Sequence, residues 1–455
     1  MNFLKNNQIY QINNLKYNLK QLIIVSFMML MAVQMLALVV YCLAGNIKPI
    51  LLDRVGANAK QIALVIGTIP QLVNLIVCPI ISTMSDKTRS RFGRRMPYLI
   101  ITAPLITITC VLIAYASEIG NAIAKIIPSL ASYNMPLIVM ASLILFFQLL
   151  YLFPGSVVYY LIADVIPKEC IGRYMSISTI LGSACNFLFN FFIFKFAVEH
   201  VKITFIVFGV LYLIAYLLLF IFVKEGEYPP ITDKIDKSKN TAVKTYEYLT
   251  MFFRQCFQHK IFIFLFICTG LNNASTICRL MYNVLFATKD IGMSSDFYGK
   301  VMGIGAICAM IAVFFLGKLM DKTHPMLIYF LGGVLVIMAS AVGYFFINTP
   351  KSFAIIGVAT QIVYGMQNLA CVPLLISLLP QDKYGQFSSA NSMVNSAAVF
   401  FGAMLGGYFT DLYGYRVMFI WDFTITLLAT FSLIIVYKEW KKYGGKANYQ
   451  SPVIH

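Results

Sequence analysis

Long apolar stretches alternate with short polar segments along the 455 residues of this chain. Each apolar stretch is close to the roughly 20 residues that an α-helix needs to cross a bilayer. The first, residues 22–45, is too long for the apolar core of a secretory signal, so we interpret it as a retained spanning helix. The pattern predicts twelve spans, at residues 22–45, 61–82, 98–117, 136–160, 174–197, 203–223, 261–287, 298–320, 326–347, 352–377, 388–411 and 416–437.

Composition and spacing predict an all-α polytopic membrane protein. Apolar residues make up 60% of the chain and charged residues 12%, a balance typical of membrane proteins. The longest polar stretch divides the spans six and six. We therefore expect an N-terminal six-helix bundle over residues 1–223, a cytoplasmic central loop over 224–260, a C-terminal six-helix bundle over 261–437 and a cytoplasmic tail over 438–455.

The net charge of +17 follows from topology. Most of the 35 Lys and Arg residues fall in alternate loops, on the side that carries both termini, and the positive-inside rule places that side in the cytoplasm. The basic residues are not interleaved with aromatic residues in the way that nucleic-acid-binding faces are. We therefore expect a lipid bilayer and no nucleic acid as a partner.

Two loops recur six spans apart. Residues 167–176, after span 4, and residues 380–389, after span 10, both read Pro-x-acid-x-x-Gly-Arg/Gln-aromatic-x-Ser. Span 8 ends with an Asp-Lys pair at the place that such a pair occupies after span 2. The repeat predicts two pseudo-symmetric halves that are related by an axis along the membrane normal and enclose a site near the midplane. The alternative role for these loop residues is helix termination.

The loop between spans 2 and 3 is the most informative motif. Residues 85–98 read Ser-Asp-Lys-Thr-Arg-Ser-Arg-Phe-Gly-Arg-Arg-Met-Pro-Tyr. This loop resembles the signature loop of major facilitator superfamily transporters. Its spelling resembles the sucrose-transporter-like and glycoside-pentoside-hexuronide cation symporter branch of bacteria, and residues 56–62, Gly-Ala-Asn-Ala-Lys-Gln-Ile, are similar to a stretch of sucrose-transporter-like proteins.

The resemblance implies a secondary active transporter that moves a small polar solute, a sugar or glycoside, across the bacterial cytoplasmic membrane by alternating access. It also implies cation symport, but spans 2 and 4 contain no Asp or Glu where cation-coupled relatives commonly carry them. Coupling to H+ or Na+ therefore stays open. We expect no cofactor and no metal, a small-molecule substrate as partner, and function as a monomer.

The signature loop and its repeats predict a conformational gate on the cytoplasmic side. Charge pairing there would hold that side closed. The predicted gating residues are Asp86, Lys87, Arg91, Gly93, Arg94, Arg95, Glu169, Arg173, Asp321, Lys322 and Asp382.

Span 7 is the richest candidate for contact with substrate. Its residues Asn272, Thr276, Arg279 and Asn283 follow helical spacing on one face, and polar side chains in hydrocarbon usually face the protein interior. Arg279 is the only charge deep in a predicted span, so it needs a partner. Asp422 and Asp53 are the nearest acids by depth, and a structural interhelical cation is the alternative interpretation.

Further amides and tyrosines are spread over both predicted halves. Each one alone is more often a contact between helices than a ligand. As a set they suit a polyhydroxylated ligand, because amides donate and accept hydrogen bonds and aromatic faces pack on sugar rings. These candidates are Gln34, Tyr41, Gln148, Tyr151, Asn186, Asn190, Gln361, Tyr364, Asn368, Asn391 and Asn395.

Other functions are disfavoured. An exporter of lipophilic compounds is the first alternative, but span 5 lacks the Gly-Pro motif of superfamily drug antiporters. A membrane sensor on the same scaffold would need an output domain. An enzyme is least expected, since the 4 His and 10 Cys residues form no catalytic or metal-binding spacing. The pairs Gly299-x-x-x-Gly303 and Gly402-x-x-x-Gly406 predict close helix packing.

Overall fold

The computed structural model describes residues 10–12, 15–130, 132–226, 250–380 and 383–452. Within these ranges, the side chains of residues 10–12, 41–44, 78–79, 82–83, 85–87, 163, 168–169, 172, 318, 321 and 447–448 lie outside the description. The described chain is almost entirely helical, which confirms the all-α class. A short antiparallel hairpin, Tyr10–Ile12 with Leu15–Tyr17, precedes the first helix.

Twelve helices in the described part of the chain are long and apolar enough to cross a membrane, as predicted. We number them as spans 1 to 12. They are Leu19–Arg54, Ala59–Val77, Met96–Ala114, Met135–Ile162, Arg173–Glu199, Val201–Phe222, Lys260–Asp290, Ser295–Gly317, Pro325–Phe346, Pro350–Leu378, Tyr384–Tyr413 and Val417–Lys442.

Several helices extend beyond these apolar limits. The extended helical segments are Ile69–Lys87 in span 2, Met135–Val165 in span 4, Lys168–Leu188 in span 5 and Ser295–Lys322 in span 8. Short elements also lie between the spans. They are the helix Ala116–Ile126 and the 3-10 turn Pro128–Leu130 after span 3, and the helix Gly445–Asn448 after span 12.

The helices begin where the sequence carries start signals. Asn18 and Gln21 form a capping box at the start of span 1, and Thr349 and Ser352 form another at the start of span 10. Each box satisfies backbone N–H groups that the first helical turn leaves without partners. These signals are local, so they can be recognised in the sequence.

Four spans contain a π-helical segment. These segments are Leu38–Ile47 in span 1, Leu64–Thr68 in span 2, Phe189–Ile193 in span 5 and Phe286–Asp290 in span 7. A π segment widens the helix and loosens its backbone hydrogen bonding, and such segments are common at functional sites. Asn190, a predicted site residue, lies in the π segment of span 5.

The chain divides into two compact units, each described by itself. Unit 1 comprises Met1–Asn58, Val73–Ile231 and Ser295–Gly303. Inside it, spans 3 and 6 meet where Thr107 donates a hydrogen bond to the Gly209 carbonyl oxygen at 3.0 Å. Gly299 lies so close to the Asn190 carbonyl oxygen that a Cβ atom would not fit. The predicted close packing is therefore confirmed for the start of span 8.

Unit 2 comprises Ala59–Leu72, Thr232–Ser294 and Ile304–His455. Its buried core includes large aromatic side chains such as Phe262, Phe266 and Phe387. A Cβ atom on Gly402 would lie 2.9 Å from the Ala274 Cβ, which confirms close packing between spans 7 and 11. The predicted boundaries of the two six-helix bundles stay a prediction.

Candidate functional site

A buried ionic cluster lies in unit 2, where spans 7, 10 and 12 meet. Arg279 Nε donates to Asp422 Oδ2 at 2.8 Å, and Arg279 Nη2 lies 2.6 Å from the same oxygen. The Tyr364 hydroxyl also donates to Asp422 Oδ2, at 2.7 Å. Asp422 has no exposed side-chain surface and Arg279 retains 15%. Asp422 is therefore the partner of Arg279, and the other candidate, Asp53, belongs to unit 1.

Helical spacing brings the supporting groups to the cluster. Ser275 lies one turn before Arg279 on span 7, and Thr426 lies one turn after Asp422 on span 12. Their hydroxyls share a hydrogen bond of 2.7 Å, and Ser275 Oγ lies 3.5 Å from Asp422 Oδ1. The Arg279 guanidinium also faces the Phe419 ring at 5.0 Å.

The electrostatics of this cluster depend on pairing. Removing a charge from water costs several kcal/mol, and the cost is recovered only when an opposite charge and hydrogen bonds are in place. Arg279 and Asp422 together carry no net charge. Asp422 Oδ2 accepts from two side chains, whereas Oδ1 faces only the longer contact with Ser275. The donors are therefore concentrated on one carboxylate oxygen.

A second group of polar side chains lies nearer the start of span 7. The Thr269 hydroxyl donates to Asn391 Oδ1 at 2.6 Å and lies 3.1 Å from Asn395 Oδ1, both on span 11. Asn272 is 4% exposed, and its Oδ1 has no hydrogen-bond partner within the described structure. This oxygen is therefore a buried acceptor that a ligand hydroxyl could satisfy.

The remaining candidates of unit 2 have different surroundings. Thr276 donates to the Asn273 carbonyl oxygen on its own helix at 3.0 Å. Gln361 packs its amide against Gly305 of span 8. Asn283 is partly buried and has further interactions, whereas Asn368 on span 10 is exposed. Arg279 and Tyr364 are thus the predicted residues that meet directly.

In unit 1, amides link spans 1 and 5. Gln34 Nε2 donates to the Ser178 carbonyl oxygen at 3.0 Å. Asn46 Nδ2 donates to Asn190 Oδ1 at 3.0 Å, and Asn190 Nδ2 donates to the Asn186 carbonyl oxygen at 2.9 Å. The two π segments therefore meet through an amide pair. The Asn190 side chain thus also supplies a donor to the Asn186 carbonyl oxygen, one turn earlier on span 5.

Tyrosines surround the other candidates of unit 1. Tyr151 and Gln148 are partly buried on span 4, and both have further interactions. Nearby on span 6, the rings of Tyr212 and Tyr216 lie 4.5 Å apart. The hydroxyls of these two residues interact with each other, and the buried Tyr174 hydroxyl has no hydrogen-bond partner among the described groups. They are additional polar groups that could face a solute.

The signature loop forms a second ionic cluster, within unit 1. Arg94 binds Asp164 with two hydrogen bonds, from Nη2 to Oδ1 at 2.6 Å and from Nε to Oδ2 at 3.2 Å. Arg95 Nε reaches the same Oδ2 at 3.3 Å, and the guanidinium of Arg95 lies 4.9 Å from the Tyr160 ring. The loop arginines therefore converge on the C-terminal end of the helix Met135–Val165.

A carboxylate also caps span 3. Glu225 accepts the backbone N–H groups of Arg94, Arg95 and Met96 at 2.6–2.8 Å. An anion is favoured there because the first N–H groups of a helix lack partners and carry partial positive charge. Gly93, with φ of +104°, lies so close to Glu225 that a side chain would not fit. The glycine thus permits the cap.

The structure describes the side chains of three other predicted gating residues, Arg91, Arg173 and Lys322. Arg91 lies over the Phe92 ring at 4.6 Å, Arg173 is exposed with further interactions, and the Lys322 carbonyl oxygen faces Lys446 Nζ at 3.5 Å. For the others the side chains, or the whole residue in the case of Asp382, lie outside the described structure. These residues are Tyr41 among the substrate candidates, and Asp86, Lys87, Glu169, Asp321 and Asp382 among the gating residues.

Sequence reasoning missed several partners. It assigned no role to Asn46, Asp164, Thr269 or Glu225. A polar residue in an apolar segment was the available signal for Asn46 and Thr269. Among the described residues, no group of three or more His, Cys, Asp or Glu side chains could hold a metal ion.

Comparison with known proteins identifies the family. The family model described as MFS/sugar transport protein matches residues 23–437, so the chain belongs to this family of multi-pass membrane transporters. Its fold is similar to that of the nucleoside transporter NupG (TM-score 0.64, 13% identity, 92% of this chain and 100% of that one). It is also similar to a bacterial homolog of the human lysosomal transporter Spinster (0.68, 12%, 95% and 98%) and to a D-xylose-proton symporter (0.61, 12%, 91% and 97%).

Proposed function

We propose that this transporter moves a sugar or glycoside across the cell membrane by alternating access. The observation that carries the proposal is the Arg279–Asp422–Tyr364 cluster, which lies at hydrocarbon depth beside buried amides. Polar groups in that position are costly and are usually retained for function. Among solved transporters of the same fold, one is named for nucleosides and one for D-xylose, and both of these solutes carry several hydroxyls.

The donors and acceptors suit hydroxyl recognition. The Arg279 guanidinium is a planar fork of N–H donors, and its described bonds to Asp422 use one side of that fork. Asn272 offers an acceptor that no described protein group occupies. A sugar presents adjacent hydroxyls that donate and accept, so it can bind both kinds of group.

The same cluster supports coupling to a cation. Asp422 is an acid in the apolar part of a span, and its partner Arg279 is a fixed cation. Protonation of the carboxylate would release Arg279 for substrate. We therefore favour H+ over Na+ as the coupling ion, because one carboxylate that is already paired offers a poor oxygen cage for Na+.

The basic loops also indicate how the protein is oriented in the membrane. We place both termini in the cytoplasm, since the basic loops lie on that side, and we expect a monomer that binds its small-molecule substrate within the bilayer. The Arg94–Asp164 cluster then lies at the cytoplasmic surface, where it holds spans 3 and 4 together.

The test is uptake into proteoliposomes. Purified protein is reconstituted and supplied with labelled mono- and disaccharides, with and without H+ and Na+ gradients. We expect saturable uptake of at least one sugar, which an inward H+ gradient increases. Arg279→Ala should abolish uptake, and Arg279→Lys should restore it only in part, since an ammonium lacks the planar fork.

The control variant is Lys300→Gln, which removes an exposed ion pair with Asp296 of 2.7 Å and should transport normally. If Arg279→Ala transports every sugar at the wild-type rate and only loses thermal stability, the cluster is a structural contact between helices. The assignment of the site would then be wrong.

A further inference from the structure

A groove of about 810 Å³ opens in unit 2 between the start of span 9 and the end of span 12. It is separate from the ionic cluster around Asp422, and the transport proposal gives it no role. Most of its floor is apolar and includes Leu327 and Phe330 of span 9 and Ile434 of span 12. Lys441 and Lys446 line its other end.

The apolar floor continues along the outer surface of both helices. On span 9 the exposed side chains Leu327, Leu331 and Leu335 are one turn apart, and each is 38–46% exposed. On span 12, Ile434 and Leu427 are exposed in the same way, at 38% and 48%. The groove therefore leads into an apolar track that faces the acyl chains of the bilayer.

The charged end lies at the level of the lipid headgroups. Tyr437 and Trp440 line the groove near the end of span 12, and such aromatic residues mark the boundary between hydrocarbon and water. Lys441 Nζ lies 4.6 Å from the Tyr437 ring centre, which leaves its charge beside the groove. Trp440 packs against His324, with ring centres 4.8 Å apart and ring planes tilted by 42°.

Hydrogen bonds hold in place the segment after span 12 that carries Lys446. After the short helix Gly445–Asn448, the Gln450 N–H donates to the Tyr443 carbonyl oxygen at 3.1 Å. The Tyr449 hydroxyl donates to the Leu378 carbonyl oxygen at 2.8 Å. These bonds fix the segment against the end of span 10, so Lys446 is presented by an ordered part of the chain.

The charges that line the groove are cationic. His324 lies between Trp440 and Lys446, and burial together with the Lys446 charge lowers its pKa below the usual value. It is therefore mostly neutral near pH 7, and its Nδ1 accepts the Met326 N–H at 3.2 Å. The nearby acid Glu439 is paired with Lys442 at 2.6 Å and does not line the groove. Two lysines remain as anion-binding groups.

We propose that this groove binds an anionic phospholipid, with Lys441 and Lys446 on the phosphate and spans 9 and 12 against one acyl chain. A free anion would leave the apolar floor uncovered, and a zwitterionic lipid would gain less from the lysines because its own cation offsets the phosphate charge. Basic pockets between spanning helices are known to bind anionic headgroups. The proposal does not depend on the identity of the transported solute.

Native mass spectrometry of the full-length, delipidated protein in neutral detergent tests this site. The probes are short-chain phosphatidylglycerol, phosphatidylcholine of the same chain length, and inorganic phosphate as a competitor. We expect phosphatidylglycerol to bind more tightly than phosphatidylcholine. The double variant Lys441→Gln/Lys446→Gln should weaken phosphatidylglycerol binding by about 25-fold, since each lysine near a surface contributes about fivefold.

Lys438→Gln is the matched control, because Lys438 also lies near the end of span 12, carries the same charge, has no described ion pair and does not line the groove. It should leave affinity unchanged. A phosphatidylglycerol with a photoreactive acyl chain should label Leu327 or Ile434. Equal binding of the two lipids, an equal loss in Lys438→Gln, labelling confined to other spans, or full competition by inorganic phosphate would each overturn the proposal.

Discussion

Each of the two units contains an ionic cluster of arginine and aspartate, but the clusters differ in burial and in how many arginines meet the aspartate. In unit 2, Asp422 is fully buried and meets one cation, Arg279. In unit 1, Asp164 keeps 12% of its side chain exposed and is shared by Arg94 and Arg95. A fully buried acid needs a matching cation, whereas an acid that keeps some exposure can be shared by two arginines because solvent and counterions screen the charges.

The two clusters also differ in whether another residue can replace a lost partner of the aspartate. Around Asp422 the described neighbours other than Arg279 are the neutral hydroxyls of Tyr364, Ser275 and Thr426. Around Asp164, loss of one arginine leaves the other in place. Stability should therefore depend strongly on each member of the first cluster and weakly on each member of the second, where conformational exchange is the property that changes.

The largest effect should follow from Asp422→Leu. It leaves Arg279 buried without its counter-charge, which costs about 3–5 kcal/mol of folding stability. Adding Arg279→Met removes the orphan charge, so the double variant should recover most of the stability and still fail to transport. Thermal unfolding in detergent and uptake in proteoliposomes measure the two properties. A double variant as unstable as Asp422→Leu would refute the electrostatic explanation.

A smaller effect on stability, with a clear effect on rate, should follow from Arg94→Ala. Two charge-assisted hydrogen bonds to Asp164 are lost, while Arg95 still pairs with it. We expect transport to slow by about tenfold, the rate equivalent of ~1.4 kcal/mol, while substrate affinity stays within a few-fold. Binding to purified protein and initial uptake rates separate the two. Collapse of binding with intact helices would contradict the assigned role.

The smallest effect should follow from Glu225→Gln. The amide oxygen can still accept N–H groups at the start of span 3, but the negative charge is lost. We expect a loss of about 0.5–1 kcal/mol, typical of a charge at a helix N-terminus. Thermal unfolding against wild type measures it, with Glu439→Gln as a control for removal of a carboxylate that pairs with a lysine and caps no helix start. A loss of folding stability larger than that of Asp422→Leu would contradict the expected order of the two effects.

The sequence was sufficient for features that depend on local composition. Hydropathy predicted all twelve spans, although span 1 continues to Arg54, well past its predicted end at residue 45. Glycine spacing predicted close helix packing, which Gly402 makes against Ala274. Depth along the helices made Asp422 and Asp53 the nearest acids for Arg279, and the structure selects Asp422. In each case the signal depends on residue type and position along one helix.

Partner choice across helices was not predictable in the same way. Arg94 meets Asp164, and Asn46 meets Asn190, because of how each helix is rotated about its axis. Rotation follows from packing over the whole span and leaves little trace in any single residue. The cap formed by Glu225 was missed for a related reason, since it is 129 residues from Met96, whose N–H it accepts.

The π segment of span 5 changes which residues share a helix face before and after it. One added residue in a turn offsets everything after it by about 100° around the axis of an α-helix. A helical wheel drawn through Lys168–Leu188 and continued unchanged past Phe189–Ile193 assigns the later residues to the wrong side. Accessibility scanning along this span should show one periodicity before residue 189, a break, and the same periodicity shifted by one position afterwards.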